Sequence, residues 1–201
     1  MTVIVDYGVG NLFSLCSSLS YIGAESEVSS DPRVIRRADR LILPGVGAFG
    51  DAAEKLKMTG LGAAVKAAAG DGVPLLGICL GMQLLLDMSH EYGEHEGLGL
   101  IRGEVVPLKS VIRPGLSIPH IGWNSLGILK RDPLYKNVPD GAFVYFVHSY
   151  CAASRDSASA VTDYGGEVVA SVQSGSVYGC QFHPEKSGET GLEILRSFTE
   201  L

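Results

Sequence analysis

The sequence predicts one α/β domain over residues 1–201, built on a mixed, mostly parallel central sheet flanked by helices. Two observations carry that prediction. Short apolar runs alternate with helix-like patterns through residues 2–93, the rhythm of a sheet that is parallel in its first half. From residue 98 onward strand-like segments dominate, separated by turn signals, which makes the sheet mixed. A hydrophobic content of 46% against 19% charged residues supplies the apolar side chains such a core requires.

Residues 2–6, TVIVD, read as a short buried first strand. Residues 8–23 follow with Leu12, Leu15, Cys16 and Leu19 at helical spacing and Gly23 as the stop. Residues 25–30, ESEVSS, predict a second strand. Residues 31–39 predict a helix with Asp31 as N-cap and Pro32 at its first position, where a missing N–H costs nothing. Residues 40–47, RLILPGVG, are a third strand ending in a glycine-rich loop. A helix over 57–72 and a buried strand over 73–78 come next, and a helix over 81–93 has Leu84, Leu85 and Met88 to bury. In the second half, residues 98–108, 119–129, 142–152 and 168–182 read as strand-rich. A closing helix over 187–201 takes Ser187 as its candidate N-cap.

A net charge of −6 and a pI near 5.3, with no dense basic run, argue against nucleic acid or an anionic membrane as the main partner. The opening residues lack the pattern of a secretory signal, and no stretch of 18 apolar residues offers a membrane span. Cys16, Cys79, Cys151 and Cys180 are widely spaced with no CxxC pair, which fits reduced thiols in a cytoplasmic protein rather than a disulfide frame or a zinc site. No metal or cofactor is expected.

Chemistry concentrates at Gly77-Ile78-Cys79-Leu80-Gly81, a G-x-nucleophile-x-G pattern where a strand becomes a helix. Flanking glycines let strand and helix approach without clashing Cβ atoms. The helix start favours a thiolate, and the Leu80 amide points toward the oxygen of an attacked carbonyl. The alternative is a cysteine serving as a small buried hydrophobe, the reading given to Cys16, Cys151 and Cys180.

A cysteine nucleophile needs a base, and the base an orienting group. His183 is followed two residues later by Glu185, and extended backbone places both on one side. Cys79, His183 and Glu185 therefore make a coherent triad. His90 and His95 miss the spacing of zinc motifs and predict a solvated loop; His120 and His148 predict core or pocket histidines. The PGVG loop at 44–47 lacks the phosphate-binding glycine patterns, leaving an oxyanion-hole partner to the Leu80 amide or a bare structural turn.

PGVGAFG (44–50), GICLGMQLL (77–85) and GCQFHPEKS (179–187) together resemble the class I, triad-type glutamine amidotransferases. The resemblance runs end to end. Through DYGVGN (6–11), PHIGWN (119–124), YFVHSY (145–150) and HPEKS (183–187) it is narrower, to the glutaminase subunits of imidazole glycerol phosphate synthases of histidine biosynthesis. It implies a flavodoxin-like amidotransferase fold with Cys79 as nucleophile, His183 as base then acid, and Glu185 as orienter. It implies an oxyanion hole from Val46, Gly47 and Leu80, and glutamine held by Gln83, His148, Ser149 and Tyr150. It also implies a (β/α)8-barrel cyclase subunit as heterodimer partner, taking up ammonia and facing Asn11, Trp123, Tyr145 and Lys186. Trp123 as a core anchor and Lys186 as a solvated lysine stay open beside those readings. Glutaminases of vitamin B6, anthranilate or GMP synthesis, and a stand-alone cysteine hydrolase, are the competing functions.

Overall fold

The computed structural model describes all of residues 1–201. Its first half follows the predicted alternation: β1 (Thr2–Val5), α1 (Leu12–Tyr21), β2 (Ser26–Ser29), α2 (Pro32–Ile35), β3 (Arg40–Leu43), α3 (Phe49–Met58), α4 (Leu61–Gly70), β4 (Leu75–Ile78) and α5 (Leu80–Leu84). Along β1, Val3 and Val5 join the core on one face of the sheet while Ile4 joins the core on the other. Leu41, Ile42 and Leu43 of β3 divide in the same way. The unbroken apolar runs Val3–Val5 and Leu41–Leu43 are what a parallel strand covered on both faces requires.

Two helices depart from expectation. The helix predicted over 57–72 is divided, because Gly60 adopts φ +73° after α3 has already run from Phe49, and α4 begins only at Leu61. The helix predicted over 81–93 ends at Leu84: the backbone turns into β5 (Met88–Ser89), leaving Leu84 and Leu85 buried and Met88 half-buried. The apolar run that suggested a longer helix is there to fill the core.

The second half comprises β6 (His95–Glu96), β7 (Glu104–Pro107), β8 (His120–Ser125), β9 (Gly127–Ile128), β10 (Phe143–His148), β11 (Tyr150–Ala153), β12 (Ala158–Asp163), β13 (Glu167–Ser174), β14 (Val177–Cys180) and α6 (Gly188–Thr199). The strand-rich stretch over 168–182, with its turn signal at 173–176, is a hairpin of β13 and β14, and β12 was not foreseen. The main sheet runs β2-β1-β3-β4-β14-β13-β12-β9, parallel from β2 to β14 and antiparallel beyond. A smaller sheet orders β11-β7-β5-β6, so Met88–Ser89 and His95–Glu96 are short strands, His95 lies in one of them, and residues 90–94 between them form the loop expected around His90. An antiparallel ribbon, β8 with β10, stands apart from both sheets and pairs Tyr145 with Trp123 and His148 with His120. The β4–β14 pairing is the one that matters for the site: both strands end at the same level, Ile78 opposite Cys180, so the residues that follow them emerge side by side.

Candidate active site

Cys79 sits at the turn between β4 and α5 with φ +55°, a conformation costly for a side chain that carries a Cβ. The flanking glycines are required there. A Cβ on Gly77 would lie 2.7 Å from Gly81 and Met82 backbone atoms, and one on Gly81 would run into the Leu43 carbonyl oxygen. The Cys79 N–H is tied to the Cys180 carbonyl at 2.7 Å, fixing the turn to the neighbouring strand. Although α5 is only five residues long, it presents the free N–H groups of a helix start beside the sulfur.

His183 follows β14 and lies beside the elbow although 104 positions separate it from Cys79 in the chain. Its Nδ1 meets Glu185 Oε1 at 2.8 Å, and both side chains are almost fully buried. Nε2 is buried without a hydrogen-bond partner and is the ring atom left for the sulfur or a substrate. Burial works against a charged ring, but Cys79 and Glu185 outweigh it and lift the pKa to about 9. The geometry thus holds an imidazolium between a carboxylate and a thiol, a pairing that activates a cysteine.

A cavity of about 310 Å³ opens over the sulfur and brings together Cys79, Leu80, Gln83, Val46, Gly47, His148, Ser149, Tyr150 and His183. Gly47 adopts φ +100°, and Gly45 packs so tightly that a Cβ would fall 2.9 Å from the Gly81 nitrogen, which lays the PGVG loop against the elbow. Gln83 spends both amide hydrogens internally, on the Tyr150 carbonyl at 3.0 Å and on Gln181 Oε1 at 2.9 Å, so it can meet a ligand only through its own Oε1. His148 has both ring nitrogens engaged, Nδ1 donating to the Tyr150 carbonyl at 2.8 Å and Nε2 facing His120 Nδ1 at 3.1 Å. Because a carbonyl only accepts, the proton sits on Nδ1 of His148, and His120 donates to Nε2. Burial lowers the pKa of each to about 4, so this pair is neutral.

Three further residues in the site lacked a signal in the sequence reading. Gln181 donates to the Cys79 sulfur at 3.6 Å; its place two residues before His183 on an extended segment was the available clue. Glu91 lines the cavity from a segment read as helix, and Tyr7 reaches Pro44 from β1's end.

The other cysteines are placed differently. Cys151 and Cys180 are fully buried, and burial pushes the Cys151 thiol up to about 12 and the Cys180 thiol well above its usual value. Cys16 is half-buried against the core below α1. His90 pairs with Glu104 at 2.9 Å, and the His95 ring covers the Gly50 backbone.

Asn11 caps α1 through Ser14 N–H and also borders the small cleft holding His183, Glu185 and Val46. Trp123 is 54% exposed, which removes the core-anchor alternative, and it meets Tyr145 edge-on at 6.1 Å between ring centres. Lys186 is exposed and makes no ion pair within the chain. Ser187 stands at the start of α6 but does not cap it. Its hydroxyl donates to the His183 carbonyl at 2.6 Å and accepts the Tyr145 N–H at 2.9 Å.

The model of the class I glutamine amidotransferase domain matches residues 3–200, and the chain belongs to that family. Solved structures of a glutamine amidotransferase (TM-score 0.76, 19% identity, 98% of this chain and 97% of that one) and of PurLQS from Thermotoga maritima (0.73, 20%, 99% and 97%) share its fold. The nearer likeness is in sequence. The chain is 49% identical to the imidazole glycerol phosphate synthase subunit HisH of Caldanaerobacter subterraneus over 100% of this chain and 98% of that protein. The HisH subunits of Bacillus cereus (49%, 98% and 93%) and Wolinella succinogenes (45%, 100% and 100%) match as fully.

Proposed function

We propose that this chain is the glutaminase subunit of imidazole glycerol phosphate synthase, acting in the cytoplasm beside a (β/α)8-barrel cyclase subunit in histidine biosynthesis. The single observation that carries the reading is the convergence on one cavity of a cysteine at a strained strand-to-helix turn and a histidine oriented by a buried carboxylate. Full-length likeness to HisH subunits supports the choice among glutaminases.

Glutamine enters with its carboxamide over the sulfur. The Cys79 thiolate attacks the amide carbon, and the Leu80 and Gly47 backbone amides stabilise the oxyanion; losing one such donor costs about 10²–10³ in rate. His183, charged at neutral pH, gives its Nε2 proton to the departing nitrogen, and ammonia leaves a γ-glutamyl thioester. The neutral imidazole then takes a proton from water, which attacks the thioester, releases glutamate and restores the thiolate–imidazolium pair. Glu185 keeps its negative charge throughout and holds the ring's Nδ1–H. At the other end of the substrate, Gln83 Oε1 and the Glu91 carboxylate suit the α-ammonium group, and the strand turn at Ser149 and Tyr150 suits the α-carboxylate. The exposed Trp123 and the half-buried Tyr145, with Asn11 and Lys186, face the cyclase; an aromatic ring as exposed as Trp123 is a typical interface anchor.

The test is the complex assay with Cys79→Ala. Cyclisation supported by glutamine should disappear while cyclisation supported by added ammonium salt persists at the wild-type level. Loss of both, in a complex that still assembles, rejects the assignment of Cys79 to ammonia release alone.

A further inference from the structure

Two side chains outside the triad bracket the glycine loop beside Cys79. Upstream, the Tyr7 hydroxyl donates to the Pro44 carbonyl at 2.7 Å, and burial keeps that phenol protonated. Downstream, the Phe49 N–H donates to Glu91 Oε2 at 2.6 Å across 42 positions of sequence. Phe49 opens α3, so its N–H is one that the helix leaves unpaired, and the N-cap residue Ala48 has no acceptor to offer. A carboxylate from another segment does the capping. Between the two anchors only residues 45–48 are free; Gly45 is buried against the elbow, while Val46 and Gly47 are exposed.

The turn that presents Glu91 is itself constrained. The Glu91 N–H is held by the fully buried Ser89 hydroxyl at 3.2 Å, and the His90 N–H by the Val105 carbonyl at 3.0 Å. Tyr92 takes φ +54°, a region that side chains rarely enter, and its ring meets Tyr150 edge-on at 6.3 Å. These constraints keep the carboxylate between the start of α3 and the cavity that it shares with Gly47 and Gln83. Its second oxygen, Oε1, makes no hydrogen bond within the chain.

We propose that Glu91 is a positioning residue for the oxyanion loop, one oxygen fixing the loop's downstream end at the Phe49 N–H and the other open to the ligand pocket. Residues 45–48 are thereby tied to pocket occupancy: a ligand cation on Oε1 fixes the carboxylate, and the carboxylate fixes the loop. The proposal rests on the glutaminase reading for its effect on turnover, and on the Phe49–Glu91 contact alone for its structural part.

The test compares Glu91→Ala and Glu91→Gln in the assembled complex. A glutamine side chain still accepts from Phe49 N–H without the charge, so Glu91→Gln should raise KM for glutamine and keep kcat within about threefold. Glu91→Ala, lacking any acceptor, should lower kcat by about 10-fold or more, a fraction of the loss from removing an oxyanion donor outright. Alkylation of Cys79 by iodoacetamide, a displacement that forms no oxyanion, should change less than about twofold in either variant. Amide hydrogen exchange at Phe49 should accelerate in Glu91→Ala and stay slow in Glu91→Gln. Equal kcat for the two variants, or a Phe49 amide unaffected by Glu91→Ala, overturns the proposal. A wild-type complex that never hydrolyses glutamine, with Phe49 still released by Glu91→Ala, defeats the glutaminase reading and leaves the anchor standing.

Discussion

Ser187→Ala separates two roles that one hydroxyl could play. The residue lies at the start of α6, where a serine normally accepts from the helix, yet its oxygen is spent on His183 and Tyr145. Removing it leaves the Tyr145 N–H without its partner, while the His183 carbonyl keeps a second donor, the Lys186 N–H at 3.0 Å. One orphaned donor and one lost hydrogen bond together cost about 2–3 kcal/mol. For a chain of 201 residues an unfolding entropy of about 2.1 cal/mol/K per residue turns this into a fall in Tm of about 5–7 °C. Calorimetry or circular dichroism on the purified chain reads that number. Ser187→Asp sharpens the comparison. Aspartate is as good an N-cap as serine, but an ionised carboxylate cannot donate to the His183 carbonyl and brings a charge into a buried site. It should therefore be worse than alanine, and glutamine hydrolysis should fall in both variants because the base loses one of the contacts that hold its backbone. A Ser187→Asp protein at wild-type stability would refute the reasoning and return Ser187 to a capping role.

Two other expectations follow from the same contacts. His120 and His148 are held neutral in the fold with pKa values near 4, whereas an unfolded chain protonates them near 6.5. Their contribution is complete above pH 6.5 and declines as pH falls toward 4, with a slope approaching about 2.7 kcal/mol per pH unit for two protons. Urea titrations across that range check it, and His120→Phe should flatten the slope. Gly81→Ala should abolish native folding or expose the elbow, because its methyl would meet the Leu43 carbonyl in the packed sheet. A folded, active Gly81→Ala chain, seen by near-ultraviolet circular dichroism and glutamine turnover, would contradict the close approach of α5 to β3.

The sequence by itself determined the elements whose cause is local. The apolar runs 3–5, 41–43 and 75–78 are satisfied by strands covered on both faces, and these lie in β1, β3 and β4. Glycines on both sides of Cys79 announced a sharp turn because no other residue fits the approach of α5 to the sheet. The His183–Glu185 pair was legible from its two-residue spacing, although a 3₁₀ turn over Pro184–Lys186, not the extended chain expected, is what brings the two groups together. Where a helix ends was less legible, since Leu85 and Leu86 are as fit for a longer α5 as for the core, and packing decided. Only the tertiary structure determined that Gln181 reaches the Cys79 sulfur across 102 positions, that Glu91 caps α3, that Ser187 holds the base instead of its helix, and that Trp123 faces outward. Those contacts depend on which strands lie next to one another and at what level they end. Chain spacing does not encode that arrangement in any short pattern, because it is set by the packing of the whole sheet between its two layers.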